Sequence, residues 1–186
     1  MSKSAIKILN TAEALFNRHS FSSVGVDLIR DESGCSKTTL YTHFTNKQHL
    51  VEAVLARRDQ HFRANLIETI GDATGLDALE KIFDWHIAWF QTDHFKGCLF
   101  VRATAEADQQ DNAIQHIAKQ HKSWLYQVIQ QHSQSLKNAE QVTLLFYTQL
   151  EGSISRCLVE GFNLEQANQQ KKLIFQLIAL LQNQTL

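Results

Sequence analysis

With 186 residues, 44% of them hydrophobic, the chain can bury a substantial core, which excludes a disordered polypeptide and fits one or two domains. No apolar run approaches the roughly 18 residues that span a bilayer, and the start of the chain lacks the charged, apolar and small-residue pattern of a secretory leader. We therefore expect a cytoplasmic protein with no membrane partner. Its three cysteines, Cys35, Cys98 and Cys157, are odd in number and far apart, which argues against a disulfide framework and suits a reducing compartment. The net charge of −1 advertises no polyanion partner for the whole molecule. Its distribution is uneven, however. Residues 1–60 carry eight Lys and Arg against six Asp and Glu, and the remainder carries ten against thirteen. A mildly basic head on an acidic body fits nucleic acid bound at one end.

Proline is absent, and apolar residues recur at three- and four-residue spacing almost throughout, so the fold should be all-α. A first helix reads from Ser4 to Arg18, with Ile8, Ala12, Leu15 and Phe16 on one face. A short helix at Val26–Ser33 follows. Gly34 breaks the pattern, and a second short helix runs from Ser36 to Phe44. Thr45-Asn-Lys-Gln48 has the form of a capping box and opens a long helix to about Ile70. The stretch Gly71-Asp-Ala-Thr-Gly75 is the clearest internal break. Asn138-Ala-Glu-Gln141 and Asn163-Leu-Glu-Gln166 repeat the start signal, which predicts two long closing helices over about 139–161 and 164–184.

The two short helices around a Gly-containing turn, with Ile29 and Leu40 set to pack them together, form a helix-turn-helix pattern. A helix of about two turns fits the major groove, where its side chains meet base edges while neighbouring polar groups hold phosphates. Ser36 can cap that helix, leaving its first backbone N–H groups toward an anion. Lys37, Thr38, Thr39, Tyr41, Thr42 and His43 supply donors around a helix whose buried side is Leu40 and Phe44.

The segments Ile8-Leu-Asn-Thr-Ala-Glu-Ala-Leu-Phe16, Val26-Asp-Leu-Ile29, Gly34-Cys-Ser-Lys-Thr-Thr-Leu-Tyr-Thr-His-Phe44 and Asn46-Lys-Gln-His-Leu50 together resemble the TetR/AcrR family of transcriptional regulators. The resemblance covers roughly residues 5–60. It implies an all-α protein in which residues 1–46 form a three-helix DNA-binding domain and residues 47–186 an effector-binding and dimerisation domain. It further implies that Ser36, Lys37, Thr38, Thr39, Tyr41, Thr42, His43 and Lys47 meet bases or phosphates. Three positions depart from the family pattern. Val24 stands where many members cap the second helix with Thr, so Gly25 or the Ser23 backbone must begin it. Thr45 replaces a frequent Pro. Arg30 occupies a position that is often small and, if turned outward, adds a phosphate contact.

Residues 76–136 should hold any effector site. An aromatic stripe at helical spacing, Trp85, Trp89 and Phe90, together with Phe100, Trp124 and Tyr147, can fill a core or line a pocket for an apolar or aromatic molecule. His86, Arg102, Glu106 and Glu151 are the polar groups that could fix such a small-molecule effector. Lys96-Gly-Cys-Leu-Phe-Val-Arg-Ala-Thr-Ala-Glu106 looks like a segment of one branch of the family, which would place Cys98 at a helix N-terminus, where a thiol pKa falls. Thiol response through Cys98 is one alternative function; a dimeric interaction protein without operator binding is another. Cys35 reads as a small hydrophobe buried in the turn. Nine histidines raise the question of metal, but His116 and His121 are five apart rather than the four that share a helix face, so no metal and no cofactor is expected. An enzyme is disfavoured by the lack of a paired nucleophile and base or of a Gly-rich phosphate loop.

In the closing helices, Leu173, Ile174, Leu177, Ile178, Leu180 and Leu181 give an apolar face too wide for a lone surface helix, and Gly152, Ser153 and Ser155 would let a second helix approach closely. A homodimer through these two helices duplicates the DNA head about a two-fold axis. The expected partner is thus a palindromic double-stranded operator with half-sites one helical turn, or a multiple of it, apart. An effector that prefers another spacing of the two heads would release the operator, and the family resemblance alone implies repression rather than activation.

Overall fold

The computed structural model describes residues 1–107 and 112–183, and among these it holds helices and no strand. The helices are α1 (Lys3–Arg18), α2 (Val26–Ser33), α3 (Lys37–His43), α4 (Lys47–Ile70), α5 (Gly75–Phe90), α6 (Leu99–Glu106), α7 (Asn112–Ser133), α8 (Ala139–Glu160) and α9 (Leu164–Asn183). The chain divides into two compact units. One comprises Met1–Phe62 with Cys98–His121, the other Arg63–Gly97 with Lys122–Leu186. These units are defined by packing; the expected division at residues 46 and 47 is one of function and is taken up below.

In the first unit α1 is the central element. Ser2 caps it by accepting from the Ala5 N–H at 3.1 Å. Ala5, Ile8, Leu9, Ala12, Leu15 and Phe16 then form one buried stripe with the three- and four-residue spacing of a helix. That stripe packs on both α2 and α3, which also touch each other. Ile29 and Leu40 are fully buried, as the helix-turn-helix pattern requires. Gly25 begins α2 without a side-chain cap, and Gly34 ends it at φ +60°, a left-handed conformation that glycine adopts without steric penalty. Cys35 is half-exposed, not buried, because the turn holding it lies at the surface.

The start of α4 corrects the expected capping box. The cap is Asn46, whose Oδ1 accepts from the His49 N–H at 2.8 Å. A helix beginning at Lys47 places its third N–H at His49, within reach of Asn46 and one residue beyond the reach of Thr45. Further along α4, Arg57 and Arg58 both donate to the Glu13 carboxylate of α1, at 2.8 and 3.0 Å. Asp59 accepts from the buried His121 ring of α7 at 2.8 Å, and that ring is stacked on Phe100 of α6 at 3.8 Å and meets Phe62 edge-on.

In the second unit α8 packs on α9 and on α5. Phe146 of α8 is fully buried, with Phe83 and Phe175 set edge-on to it at 6.2 and 6.4 Å. Lys171 of α9 bridges to Glu80 and Asp84 of α5 at 2.8 and 2.7 Å. Asn163 caps α9 by accepting from the Gln166 N–H at 3.0 Å, as its sequence predicts. Asn138 stands at the N-cap of α8, its carbonyl accepting from the Val142 N–H at 3.0 Å, but its side chain makes no capping bond. Its backbone is left-handed, at φ +56°, and its side-chain amide instead donates to the Leu181 carbonyl of α9 at 2.6 Å. Asparagine tolerates that conformation better than other non-glycine residues.

Phe146→Ala should lower stability by about 3–5 kcal/mol, because the site loses transfer energy and gains a cavity, while Phe146→Leu should cost clearly less. Urea unfolding of the two variants beside the parent measures the difference.

Candidate nucleic-acid interface

The Ser36 Oγ accepts from the Thr39 N–H at 3.0 Å and lies 2.8 Å from the Thr39 hydroxyl, so α3 begins at Lys37. With Leu40 and Phe44 pinned in the core, the helical period turns Lys37, Thr38, Tyr41 and Thr42 outward. Tyr41 is 43% exposed, a large share for so large a ring. The Thr42 hydroxyl donates to the Thr38 carbonyl at 2.8 Å and therefore presents an oxygen and a methyl group rather than a free donor. Such a face of one ammonium, two threonines and a phenol can meet both base edges and phosphates.

The other proposed contacts are tied back into the head. The His43 Nε2 lies 2.8 Å from the Ser4 hydroxyl and 3.1 Å from that of Ser2, which joins the end of α3 to the start of α1. Lys47 donates to the Ser22 carbonyl at 3.5 Å, a long and weak bond, and burial lowers the pKa of its ammonium. Arg30 is not the outward phosphate contact allowed by the sequence. It pairs with Asp27 at 2.9 Å and with Asp31 at 2.7 Å, and Lys37 also reaches Asp27, at 3.3 Å. These acidic neighbours on α2, three residues before and one after Arg30, were visible in the sequence and signal its engagement.

The residues suggested for an effector are distributed over both units. Phe100 and Arg102 belong to the first. Phe100 stacks on His121, and Arg102 donates to the carbonyls of Phe16 at 3.2 Å, Asn17 at 2.9 Å and His19 at 2.6 Å. A guanidinium thus closes the C-terminal end of α1, where carbonyls lack helical partners and the helix dipole favours a cation. Glu106, one turn further along α6, accepts from the Ser22 N–H and hydroxyl at 3.0 and 3.1 Å. Sequence reasoning could not assign either role, since both join segments more than 80 residues apart.

The remaining candidates lie in the second unit. Trp85, His86, Trp89 and Phe90 of α5 form a continuous aromatic cluster to which Phe95 adds, 5.0 Å from Trp89. His86 is buried, with Nδ1 2.7 Å from the Ile82 carbonyl, which fixes the proton on that nitrogen. Trp124 carries the Arg63 guanidinium over its ring at 4.9 Å, Tyr147 meets Tyr126 edge-on, and Glu151 accepts from the Lys122 ammonium at 2.6 and 2.7 Å. Cys98 is buried at the N-cap of α6 and makes no capping bond.

Comparison with known proteins agrees with this geometry. The family model described as bacterial regulatory proteins, tetR family, matches residues 8–54. An uncharacterized HTH-type transcriptional regulator of Mycobacterium tuberculosis is 32% identical over 68 residues, spanning 37% of this chain and 34% of its own length. The chain therefore matches about a third of that relative. The crystal structure of a TetR-family transcriptional regulator from Streptomyces coelicolor superposes with a TM-score of 0.88 at 19% identity, covering 97% of this chain and 96% of that one. The TetR family regulator CifR, a cysteine mutant complexed with 26 bp double-strand operator DNA, superposes with a TM-score of 0.77 at 13% identity, covering 96% of both chains.

Two substitutions separate the supports of this face. Ser36→Ala should cost about 1 kcal/mol and raise amide exchange within α3, since it removes one helix cap. Arg102→Ala should cost about 2–3 kcal/mol in chemical denaturation, because it strands carbonyls that accepted from a charged donor.

Proposed function

We propose that the chain is a ligand-responsive repressor of the TetR family that binds a palindromic operator as a homodimer; the match of residues 8–54 to the tetR family model and the fold shared with a TetR-family regulator support this reading. In it the chain is a transcriptional regulator, with residues 1–46 reading DNA and residues 47–186 sensing and dimerising.

The observation that carries the proposal is the outward face of α3. Lys37, Thr38, Tyr41 and Thr42 stand exposed on a helix fixed from behind by Leu40, and the Lys37 ammonium is held only by a solvent-exposed pair with Asp27. Base contacts come from Lys37, Thr38, Tyr41 and Thr42. Ser36 and Thr39 hold the helix start near a phosphate, and His43 and Lys47 contact phosphates after leaving weak or exposed internal bonds. The operator-bound state of CifR is a precedent for this use of the fold.

Dimerisation is supported by apolar surface left open on the last two helices. In α9, Ala167, Ile174 and Ile178 are buried within the chain, whereas Leu173 and Leu180 are 54% and 60% exposed on another face. In α8, Leu144, Gly152, Ser155 and Val159 form an exposed stripe, and a Cβ built on Gly152 would meet nothing within 4 Å. Two such faces from two copies make a four-helix bundle with close helix approach. No described helix is long and apolar enough to cross a membrane, and the bacterial cytoplasm is where an operator is met. The aromatic cluster of α5 around His86 is the proposed wall of the effector site, with Trp124, Tyr147 and Glu151 as further candidates. Phe100 and Arg102, also candidates from the sequence, are engaged within the first unit by His121 and by the end of α1. A differential affinity of a few kcal/mol between the two states suffices to empty the operator.

Fluorescence anisotropy with DNA from upstream of the chain's own gene tests the proposal. Tight binding should weaken steeply with salt, and Tyr41→Ala should relax sequence selectivity with a loss of about 1–3 kcal/mol. Parent and variant binding this DNA no better than random DNA would sink the operator. Leu173→Glu together with Leu180→Glu should convert the dimer to a monomer in light scattering and remove cooperative operator binding; an unchanged mass would place the interface elsewhere.

A further inference from the structure

A crevice of about 210 Å³ lies within the first unit, between the turn after α1, the start of α4, the end of α6 and α7. Phe21, Val51 and Ile114 give it apolar walls. Among its described lining residues Glu106 is the one acid and Lys47 the one base. Both are bonded to the same residue: Ser22 gives its N–H and hydroxyl to the Glu106 carboxylate and its carbonyl to the Lys47 ammonium. Glu106 is thus fixed by two bonds and cannot follow Lys47 outward, whereas Lys47 is held by one 3.5 Å bond on a flexible stem. Ser22 holds both side chains at one crevice; burial of the lysine favours its neutral form, and the Glu106 charge opposes this.

We propose that Glu106 is a positioning residue for DNA binding: fixed on Ser22, it draws the Lys47 ammonium into the crevice and competes with an operator phosphate for it. This rests on the proposed DNA contact of Lys47. The carboxylate cancels the lysine charge as the DNA backbone meets it, so the head binds less tightly than its basic residues allow. Because Glu106 ends α6 and Arg102 of the same helix grips α1, a shift of α6 along its axis changes how firmly Lys47 is held. The brake on the head and the helix that carries it are therefore one element.

The test is a double-mutant cycle in operator binding, with Glu106→Gln, Lys47→Ala and both together. Glu106→Gln retains an oxygen for the two Ser22 donors and removes only the charge. It should tighten operator binding about three- to tenfold at low salt, as expected for one unit charge near a phosphate, and should steepen the salt dependence. In the Lys47→Ala background the same change should do little. An equal gain in both backgrounds would mean that Glu106 merely repels DNA, and no gain in either would mean that it only supports the turn; both overturn the proposal. A nitrogen-detected titration of the Lys47 ammonium needs no DNA: Glu106→Gln should lower its pKa, and an unchanged value refutes the pairing. If the parent fails to select its operator while this pKa shift is present, the fault lies with the function proposed for the chain, and the competition falls with it; if the parent selects and the shift is absent, the fault lies with Glu106 alone.

Discussion

The carbonyl end of α1 is the constraint on which the first unit depends. A helix cannot satisfy its own last carbonyls, and burying them without donors costs about 1–3 kcal/mol each. Here Arg102 supplies donors to Phe16, Asn17 and His19 at once. Since α1 is the helix on which both α2 and α3 pack, the orientation of the DNA-reading helix rests on a side chain from α6. Glu13 repeats this logic from the other direction, offering one carboxylate to Arg57 and Arg58 of α4. The first three helices accordingly share one compact unit with the start of α4, with α6 and with the start of α7.

This integration sorts the basic and polar residues near α3 into two kinds. Lys37, Thr38, Tyr41 and Thr42 point outward because Leu40 and Phe44 fix the rotation of the helix. His43 and Lys47 spend their donors internally, one on the start of α1 and the other on the turn after it. The His43 bonds join the end of α3 to the start of α1, the Lys47 bond joins the start of α4 to the turn after α1, and that turn also holds Glu106. The first turn of α4 and the end of α6 therefore draw on the same few atoms of Ser22.

The second unit solves a different problem. Its helices bury one face around Phe146 and lock their order through Lys171, yet α8 and α9 retain leucines and a valine on a second face. Leaving Leu180 at 60% exposure is unfavourable for an isolated chain, and the same surface gains when a second copy covers it. Meanwhile the α5 aromatic cluster encloses a histidine whose tautomer is fixed by a backbone carbonyl, so the polarity offered to any effector there is set by the helix itself.

The sequence by itself determined the helical class, the first four helices, the two that close the chain, and which residues of α3 face outward. Those depend on periodicity, on Gly34 and on Ser36, all of which act within a few residues of themselves. It determined the α9 cap at Asn163 for the same reason, and it misplaced the α4 cap by one residue because Thr45 and Asn46 are both good caps and only the helix start chooses between them. It also placed the start of α8 at Asn138, whose carbonyl opens that helix, but not the bond from the Asn138 side chain to α9. Only the tertiary structure decided that Arg102 serves α1, that Glu106 serves Ser22, that Arg30 is spent on Asp27 and Asp31, and that Phe100 lies against His121. A charged or aromatic side chain has several chemically equal partners along a sequence, and distance in space, which the sequence does not carry, selects among them.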